Sequence, residues 1–334
     1  MSDGYLVVRL NSETTPVSVE ERNAIAATGA RLTEIEGDKD DDIVAAAAEA
    51  DAVMLVSAYL RGPVISRMAR CRVISRLGTG TDKIDVAEAT SRGIPVANVP
   101  DFCTGEVADH AMALLLAAAR RIKECDREMR QGRQPKDMLQ MRRLSTLTVG
   151  ILGLGRIGRS VAERAAAFGM KRIACDVNTS AEQALQLGVE LVDFAELLAK
   201  SDYLVVTCPL TESTRRMIGR DQLRRMKSSA VLVNVGRGEI VDETQLATAL
   251  REGVIRYACL DVFGEINVFQ AGGFPTDHPL FDLPNVLLTP HVAACSRESI
   301  GDCLARGARA VVDVLQGRMP PSIVNPEVQP WWQE

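Results

Sequence analysis

The sequence is poor in the features that bind nucleic acid, cross a bilayer or hold a metal. Lysine and arginine number 39 against 44 aspartates and glutamates, a formal charge of −5, so there is no basic footprint for a polyanion. Aromatic residues make up only 4% of the chain, which argues against platforms that stack bases. No apolar run approaches the roughly 20 residues that span a bilayer. The run Ala111–Ala119 is short and flanked by charge, and it reads as a buried helix. No basic stretch followed by an apolar one opens the sequence, so no signal peptide is expected. The eight cysteines include no Cys-x-x-Cys pair, and in a chain without an export signal they are expected to be reduced, as small buried hydrophobes. Three histidines, His110, His278 and His291, are too few for a multi-histidine site, so no metal is expected. These absences leave a cytoplasmic globular protein with neither a nucleic-acid nor a membrane partner as the expectation.

What the sequence does have is alternation. Its 334 residues suffice for two domains. Strand signals at Tyr5–Leu10, Ala52–Ser57, Arg72–Ser75 and Pro95–Asn98 are interleaved with helical segments near 17–27, 41–50, 63–69 and 84–92, with Ser18 as N-cap of the first. One long helix is expected from Thr104 to about Arg130, then a linker over Gln131–Met141. A second series carries strands at Val149–Leu152, Arg172–Cys175, Tyr203–Thr207, Val231–Asn234, Ala258–Asp261 and Val286–Leu288, with Asp242 capping a helix that ends at Arg251. Helix Arg297–Leu315 should return to the first domain, and the proline-rich tail ends in Trp331 and Trp332, which either dock or fray. This rhythm specifies parallel sheets with helices on both faces. A domain spanning 103–294 is thus inserted between 1–102 and 295–334. Two crossings favour a hinge with a cleft, where ligands usually bind.

The inserted domain opens on Thr148-Val149-Gly150-Ile151-Leu152-Gly153-Leu154-Gly155-Arg156-Ile157-Gly158, an apolar strand that breaks into Gly-x-Gly-x-x-Gly and becomes a helix. Gly153 permits the tight turn, Gly155 lets backbone approach a pyrophosphate, and Gly158 lets helix and strand pack closely. The open N–H groups at the start of the helix face the phosphates. The next strand ends in Asp176, an acid that accepts hydrogen bonds from a ribose and repels a 2′-phosphate. The cofactor is therefore read as NAD, not NADP.

Further chemistry collects at other strand ends. Arg237, in Asn234-Val235-Gly236-Arg237-Gly238, offers a guanidinium that grips a carboxylate through two parallel bonds. His291, in Thr289-Pro290-His291, suits proton transfer near neutrality. Asp261 and Glu265 follow the strand between them, and an acid paired with His291 would hold its ring. In the first domain Arg76-Leu77-Gly78-Thr79-Gly80-Thr81-Asp82 is a small-residue loop whose N–H groups form an anion-binding concavity. Arg76 and Arg61 are candidates for a second anionic group on the substrate, against the alternative of ordinary surface arginines.

These motifs, with Cys208-Pro209-Leu210-Thr211 and Leu260-Asp261-Val262-Phe263, resemble in this order the D-isomer-specific 2-hydroxyacid dehydrogenases over essentially the whole chain. The segment Asn98–His110 is most similar to the branch that contains the C-terminal-binding-protein corepressors. The resemblance implies an α/β fold in which a Rossmann dinucleotide-binding domain is inserted into a smaller flavodoxin-like α/β substrate domain. It implies a homodimer built on the long helix from Thr104. It also implies an NAD-dependent oxidoreductase that interconverts a 2-keto acid and a D-2-hydroxy acid. Arg237 would bind the substrate carboxylate and keto oxygen, and His291 would exchange the proton. Gly78, Thr79 and Gly80 would hold the carboxylate. Arg156 and Ile157 would meet the pyrophosphate, Asp176 the ribose and Asp261 the nicotinamide amide, while Thr79, Cys208, Pro209, Val235 and Gly236 would line the dinucleotide. One departure stands out. The position five residues after Asp261, where the family places the glutamate that pairs with the histidine, is Ile266, and Glu265 sits one earlier. Glu265 is assigned that role, with residues 267–276 as a lengthened loop shaping the pocket. Two other readings stay open: an NAD-sensing, corepressor-like binding protein, and a dehydrogenase of an unusual acid such as a phosphonate or phosphite.

Overall fold

A computed structural model describes residues 4–13, 15–36, 39–134, 141–269 and 273–333. The chain divides into two compact units, Met1–Phe102 with Ser296–Glu334, and Cys103–Cys295. Much of the expected linker (135–140) and the middle of the lengthened loop (270–272) lie outside the described residues.

In the first unit β1 (Leu6–Leu10), β2 (Arg31–Ile35), β3 (Ala52–Leu55), β4 (Val73–Arg76) and β5 (Val96–Ala97) form a parallel sheet ordered β2-β1-β3-β4-β5. This is the flavodoxin-like order. Successive side chains alternate between the two faces. Val7, Met54 and Val73 meet Leu304, Ala308, Val311 and Leu315 of α12 (Arg297–Leu315) and Ile25 of α1 (Val19–Ala26). Val8, Val53 and Ile74 meet Ile43 of α2 (Asp40–Ala47), Val64 and Ile65 of α3 (Gly62–Ile65) and Ala89 of α4 (Val86–Ser91). Each fully buried Val, Leu, Ile or Met among them contributes about 1.5–3 kcal/mol, and each alanine methyl less. Ser18 caps α1 as expected: its hydroxyl accepts from Glu21 N–H, and Glu21 accepts from Ser18 N–H at 2.8 Å. Strand β2 has no counterpart in the sequence reading. It is an edge strand, Arg-Leu-Thr-Glu-Ile, with no buried residue to give it an apolar signal. The tail docks. Val324 N–H bonds Val96 O, Asn325 Oδ1 accepts from Val96 N–H, and the indoles of Trp331 and Trp332 donate to the carbonyls of Cys71 and Arg72 at 3.0 and 2.9 Å.

In the second unit α5 (Thr104–Ala119) buries Val107, Ala108, Ala111, Met112, Leu114, Leu115, Ala118 and Ala119. The single long helix expected here is two. Arg121 takes a left-handed φ of +52° and separates α5 from α6 (Ile122–Arg130), which buries no residue. The continuous helical pattern hid this break because arginine is a good helix former whose αL conformation leaves no trace in composition. The parallel sheet follows, from β6 (Thr148–Leu152), β7 (Lys171–Cys175), β8 (Glu190–Leu191), β9 (Tyr203–Val206), β10 (Val231–Asn234), β11 (Tyr257–Leu260) and β12 (Val286–Leu288). They run in the order β12-β11-β10-β9-β6-β7-β8. From β6 the chain builds outward through β7 and β8, then crosses back to β9. The topological switch point therefore lies between β6 and β9, where α/β sheets of this kind bind ligands. Besides α5, the helices covering this sheet are α7 (Arg156–Ala167), α8 (Ala181–Gln186), α9 (Phe194–Lys200), α10 (Arg220–Arg225) and α11 (Glu243–Arg251), the last capped by Asp242 as expected.

Candidate active site

The site residues expected in the second unit all follow the carboxyl ends of strands of one sheet. Gly153 follows β6, Asp176 β7, Cys208 β9, Val235–Arg237 β10, Asp261 β11 and His291 β12. The chain reaches this edge on each strand and must leave it as a loop. That loop leaves backbone N–H groups outside the ladder, available to side chains or a ligand.

The three glycines have three different reasons. Gly153 has φ +94°, and a Cβ there would stand 2.6 Å from Cys208 N. At Gly158 a Cβ would meet Gly153 O at 2.1 Å, so α7 and β6 pack only without it. Gly155, the N-cap of α7, has an ordinary φ of −73° and nothing within 4 Å of a Cβ. Its lack of a side chain answers no demand from the protein, and the open space suits the approach of a phosphate. No side chain caps α7, and Arg156 is exposed beside the half-buried Ile157. Asp176 pins this loop: Oδ2 accepts from Leu154 N–H at 2.6 Å, and Oδ1 accepts from the N–H groups of Asn178 and Thr179 at 2.8 Å each. Burial pushes its carboxyl up, but these donors outweigh it and hold the group below the usual carboxylate range. Cys208 is buried, which raises its thiol to about 11 and leaves it a packing group, while Pro209 beside it is exposed.

Arg237 sits half-buried in a turn that its neighbours lock. Asn234 Oδ1 accepts from Gly236 N–H at 3.1 Å, its Nδ2 donates to Arg237 O at 2.9 Å, and Val235 N–H bonds Val206 O. His291 adopts a left-handed φ of +56°, and its N–H reaches the carbonyls of Asp261 at 2.7 Å and Thr289 at 3.0 Å. Its ring packs on Phe269, with centroids 5.0 Å apart.

Two acids depart from expectation. Asp261 is fully buried. Its Oδ1 accepts from Thr289 Oγ1 at 2.6 Å and Val292 N–H at 3.0 Å, and its Oδ2 accepts from Ala293 N–H at 3.0 Å. Burial alone would raise this carboxyl, but the bonds from His110, Thr289, Ala293 and Val292 together hold it low. With no exposed surface it has no approach to a nicotinamide amide, and what it does instead is brace the turn that carries His291. Glu265 pairs with a different histidine from the one expected. Its Oε2 lies 3.8 Å from His278 Nε2, which is itself 3.1 Å from Glu243 Oε2. The one-residue shift sends the side chain toward α11, where Gly264 N–H already bonds Glu243 Oε1.

Among the described residues Glu243, Glu265 and His278 are the one group whose donor atoms converge within 4.8 Å as metal ligands would. Proton placement argues for a hydrogen-bonded pair instead. Leu280 N–H points at His278 Nδ1, so Nε2 carries the hydrogen and donates it to Glu243. A metal-bound histidine needs the opposite polarity, with its remote N–H given to an acceptor.

In the first unit Gly78 has φ +147°, and the carbonyls of Leu77, Gly78, Thr79 and Gly80 accept from Arg76, Val99 N–H, Asn98 and Arg76 respectively. Arg76, expected on the substrate, thus spends Nε and a terminal nitrogen on its own loop. Arg61 likewise pairs with Asp40 at 2.5 Å and lies 5.0 Å from the centre of the Tyr59 ring.

Residues 112–293 match the family described as D-isomer specific 2-hydroxyacid dehydrogenase, NAD binding domain. A glyoxylate reductase of Korarchaeum cryptofilum is 41% identical over 280 residues, which are 83% of this chain and 82% of that protein. The chain belongs to the D-isomer-specific 2-hydroxyacid dehydrogenase family. It is accordingly an NAD-dependent oxidoreductase that interconverts keto and hydroxy acids. A D-3-phosphoglycerate dehydrogenase of Mycobacterium leprae is 37% identical over 320 residues, and there the match spans 93% of this chain but only 59% of the relative. The D-lactate dehydrogenase of Aquifex aeolicus complexed with NAD and lactic acid superposes with a TM-score of 0.84 at 25% identity, over 95% of this chain and 98% of its own. These similarities place the chain in the dehydrogenase family without specifying the corepressor branch.

Proposed function

We propose that this dehydrogenase reduces a small 2-keto acid with a single carboxylate, of the glyoxylate or pyruvate size, to the D-2-hydroxy acid. NADH, when bound, supplies the hydride. Arg237 binds the substrate carboxylate and polarises the keto oxygen, and His291 delivers the proton to that oxygen, a contribution of about 10²–10⁴-fold. The N–H groups at the start of α7 with Gly155 hold the pyrophosphate, Asp176 takes the ribose, and Cys208, Pro209, Val235 and Gly236 line the dinucleotide. Asp261 and Arg76 act as positioning residues for the His291 turn and the Gly78–Gly80 loop. In that loop the N–H groups of Leu77 and Gly78 are bonded to Leu55 O and Arg76 O, so the anion donors are assigned to Thr79 and Gly80.

The observation that carries the reading is the placement of Arg237 and His291 after β10 and β12, on the same sheet edge and on either side of β11. The single-anion substrate is supported by the arginines that a second anion would need, since Arg76 and Arg61 are already engaged by Gly80, Leu77 and Asp40. A homodimer is supported by α6, whose Ile122 and Met129 are exposed on a helix that buries nothing in its own chain. A cytoplasmic location is supported by eight cysteines that are all unbridged.

The test is a panel of 2-keto acids with NADH, read at the nicotinamide absorbance. Glyoxylate or pyruvate should turn over, and a 3-phosphorylated keto acid should be at least tenfold poorer in kcat/KM. Arg237→Lys should cut kcat/KM at least about 100-fold through loss of bidentate geometry. Preference for the phosphorylated acid, or full activity in Arg237→Lys, would refute the assignment.

A further inference from the structure

We propose that His110 is a positioning residue for the imidazole of His291, acting through Thr289 and Asp261; the proposal rests on His291 being the proton-transferring group. His110 lies on α5, and no motif gave it a part in the chemistry. Its Nε2 is 3.0 Å from Thr289 Oγ1 and 3.4 Å from Asp261 Oδ1. Thr289 Oγ1 is 2.6 Å from the same Asp261 oxygen.

The direction of each bond follows from what the groups can do. A carboxylate only accepts, and Asp261 is held in its ionised form by the donors around it. The single hydroxyl hydrogen of Thr289 therefore goes to Asp261. The threonine oxygen is left as an acceptor toward His110, so Nε2 of His110 carries a hydrogen. The chain runs His110 to Thr289 to Asp261, and each link fixes the next.

Asp261 passes this on to His291. Its side chain accepts the N–H groups of Val292 and Ala293, and its carbonyl accepts the N–H of His291. Residues on both sides of His291 are thus tied to one acid. The left-handed backbone of His291 is a state that a residue other than glycine keeps only when its surroundings impose it. Without the donor at position 110 the Thr289 hydroxyl can rotate. The shortest bond to Asp261 then loosens, and the imidazole swings out of register with the keto oxygen.

The test compares His110→Phe, which fills the volume without a donor, with His110→Gln, whose amide nitrogen reaches the same oxygen. Both are measured on the full chain, beside His291→Gln. We expect His110→Phe to lower kcat at least tenfold while KM for the keto acid and Kd for NADH stay within about twofold, and His110→Gln to recover most of the rate. Thr289→Val should reproduce the loss, and adding His110→Phe to it should cost little more, because both act along one path. Should His110→Phe not fold, Thr289→Val against Thr289→Ser carries the same contrast. Unchanged kcat in His110→Phe while His291→Gln is inactive overturns this proposal alone. Equal impairment of the Phe and Gln variants also overturns it, by showing a role in packing. Normal turnover in His291→Gln overturns the proposal together with the assignment beneath it.

Discussion

Replacing Gly155 and Gly158 by alanine separates a glycine required by the ligand from one required by the protein. At Gly158 the new Cβ would sit 2.1 Å from Gly153 O, and a backbone oxygen cannot step aside. Overpacking of this kind costs about 1–3 kcal/mol. In a domain of this size that lowers Tm by about 2–4 °C per kcal/mol, with no cofactor present. At Gly155 the Cβ meets nothing within 4 Å and φ is ordinary. Alanine is a poorer N-cap than glycine by several tenths of a kcal/mol, but it removes about 0.4–1 kcal/mol of unfolded-chain freedom. The two nearly cancel, so Tm without cofactor should hold within about 1–2 °C. The methyl group fills the space the pyrophosphate needs. Losing or lengthening one N–H bond to a charged phosphate costs about 1.5–3 kcal/mol, so Kd for NADH should rise about 10–100-fold. The assays are thermal melts without cofactor and titration of NADH fluorescence. A Gly155→Ala protein that melts as low as Gly158→Ala while binding NADH normally would refute the reasoning.

Two further predictions concern the strand-end acids. Asp176→Ala removes the charge that repels a 2′-phosphate and the acceptor of Leu154 N–H; NADH should bind more weakly, and the ratio of kcat/KM for NADPH over NADH should rise at least tenfold, an unaltered ratio counting against the ribose assignment. Asp261 titrates below its unfolded value of about 3.9, so its stabilisation is complete above that pH and is lost as pH falls through the lower folded value. Asp261→Asn should therefore be less stable than native in denaturant titrations at neutral pH, and the gap should narrow as pH falls below the unfolded value; a gap constant with pH would exclude the buried carboxylate as its source.

The sequence carried the architecture because parallel strands buried on both faces are continuous apolar runs. Val149–Leu152 and Val231–Asn234 differ from β6 and β10 by at most one residue. It failed where that signal is absent: at β2, an edge strand of mixed character, and at β8, two residues long. The break at Arg121 was illegible because a left-handed arginine obeys no compositional rule. In the site, residues fixed by strand ends and glycines were readable, since spacing alone brings Gly153, Arg237 and His291 to one edge. Glu265 was not. Its direction depends on a loop turned by Gly264 N–H binding Glu243, on a helix more than 20 residues earlier in the chain. His110 was also missed, although it lies inside a quoted motif. Only the approach of α5 to the turn after β12 reveals its part, and sequence spacing holds no record of that approach.

The contrast between Asp176 and Asp261 shows how one position type yields two environments. Both acids end a strand of the same sheet, and both spend oxygens on N–H groups of the loop that follows. A carboxylate has about four lone-pair directions. Asp176 accepts from the N–H groups of Leu154, Asn178 and Thr179 and from the Thr179 side chain, yet remains partly exposed. Asp261 gives three to Thr289, Val292 and Ala293, has His110 Nε2 at 3.4 Å from the same Oδ1, and has no exposed surface. The first acid braces its loop and stays accessible, whereas the second braces its turn and is closed off. Local sequence does not distinguish them. What does is the element that arrives over each strand end: solvent at Asp176, and at Asp261 the Thr289–Ala293 turn with α5 behind it.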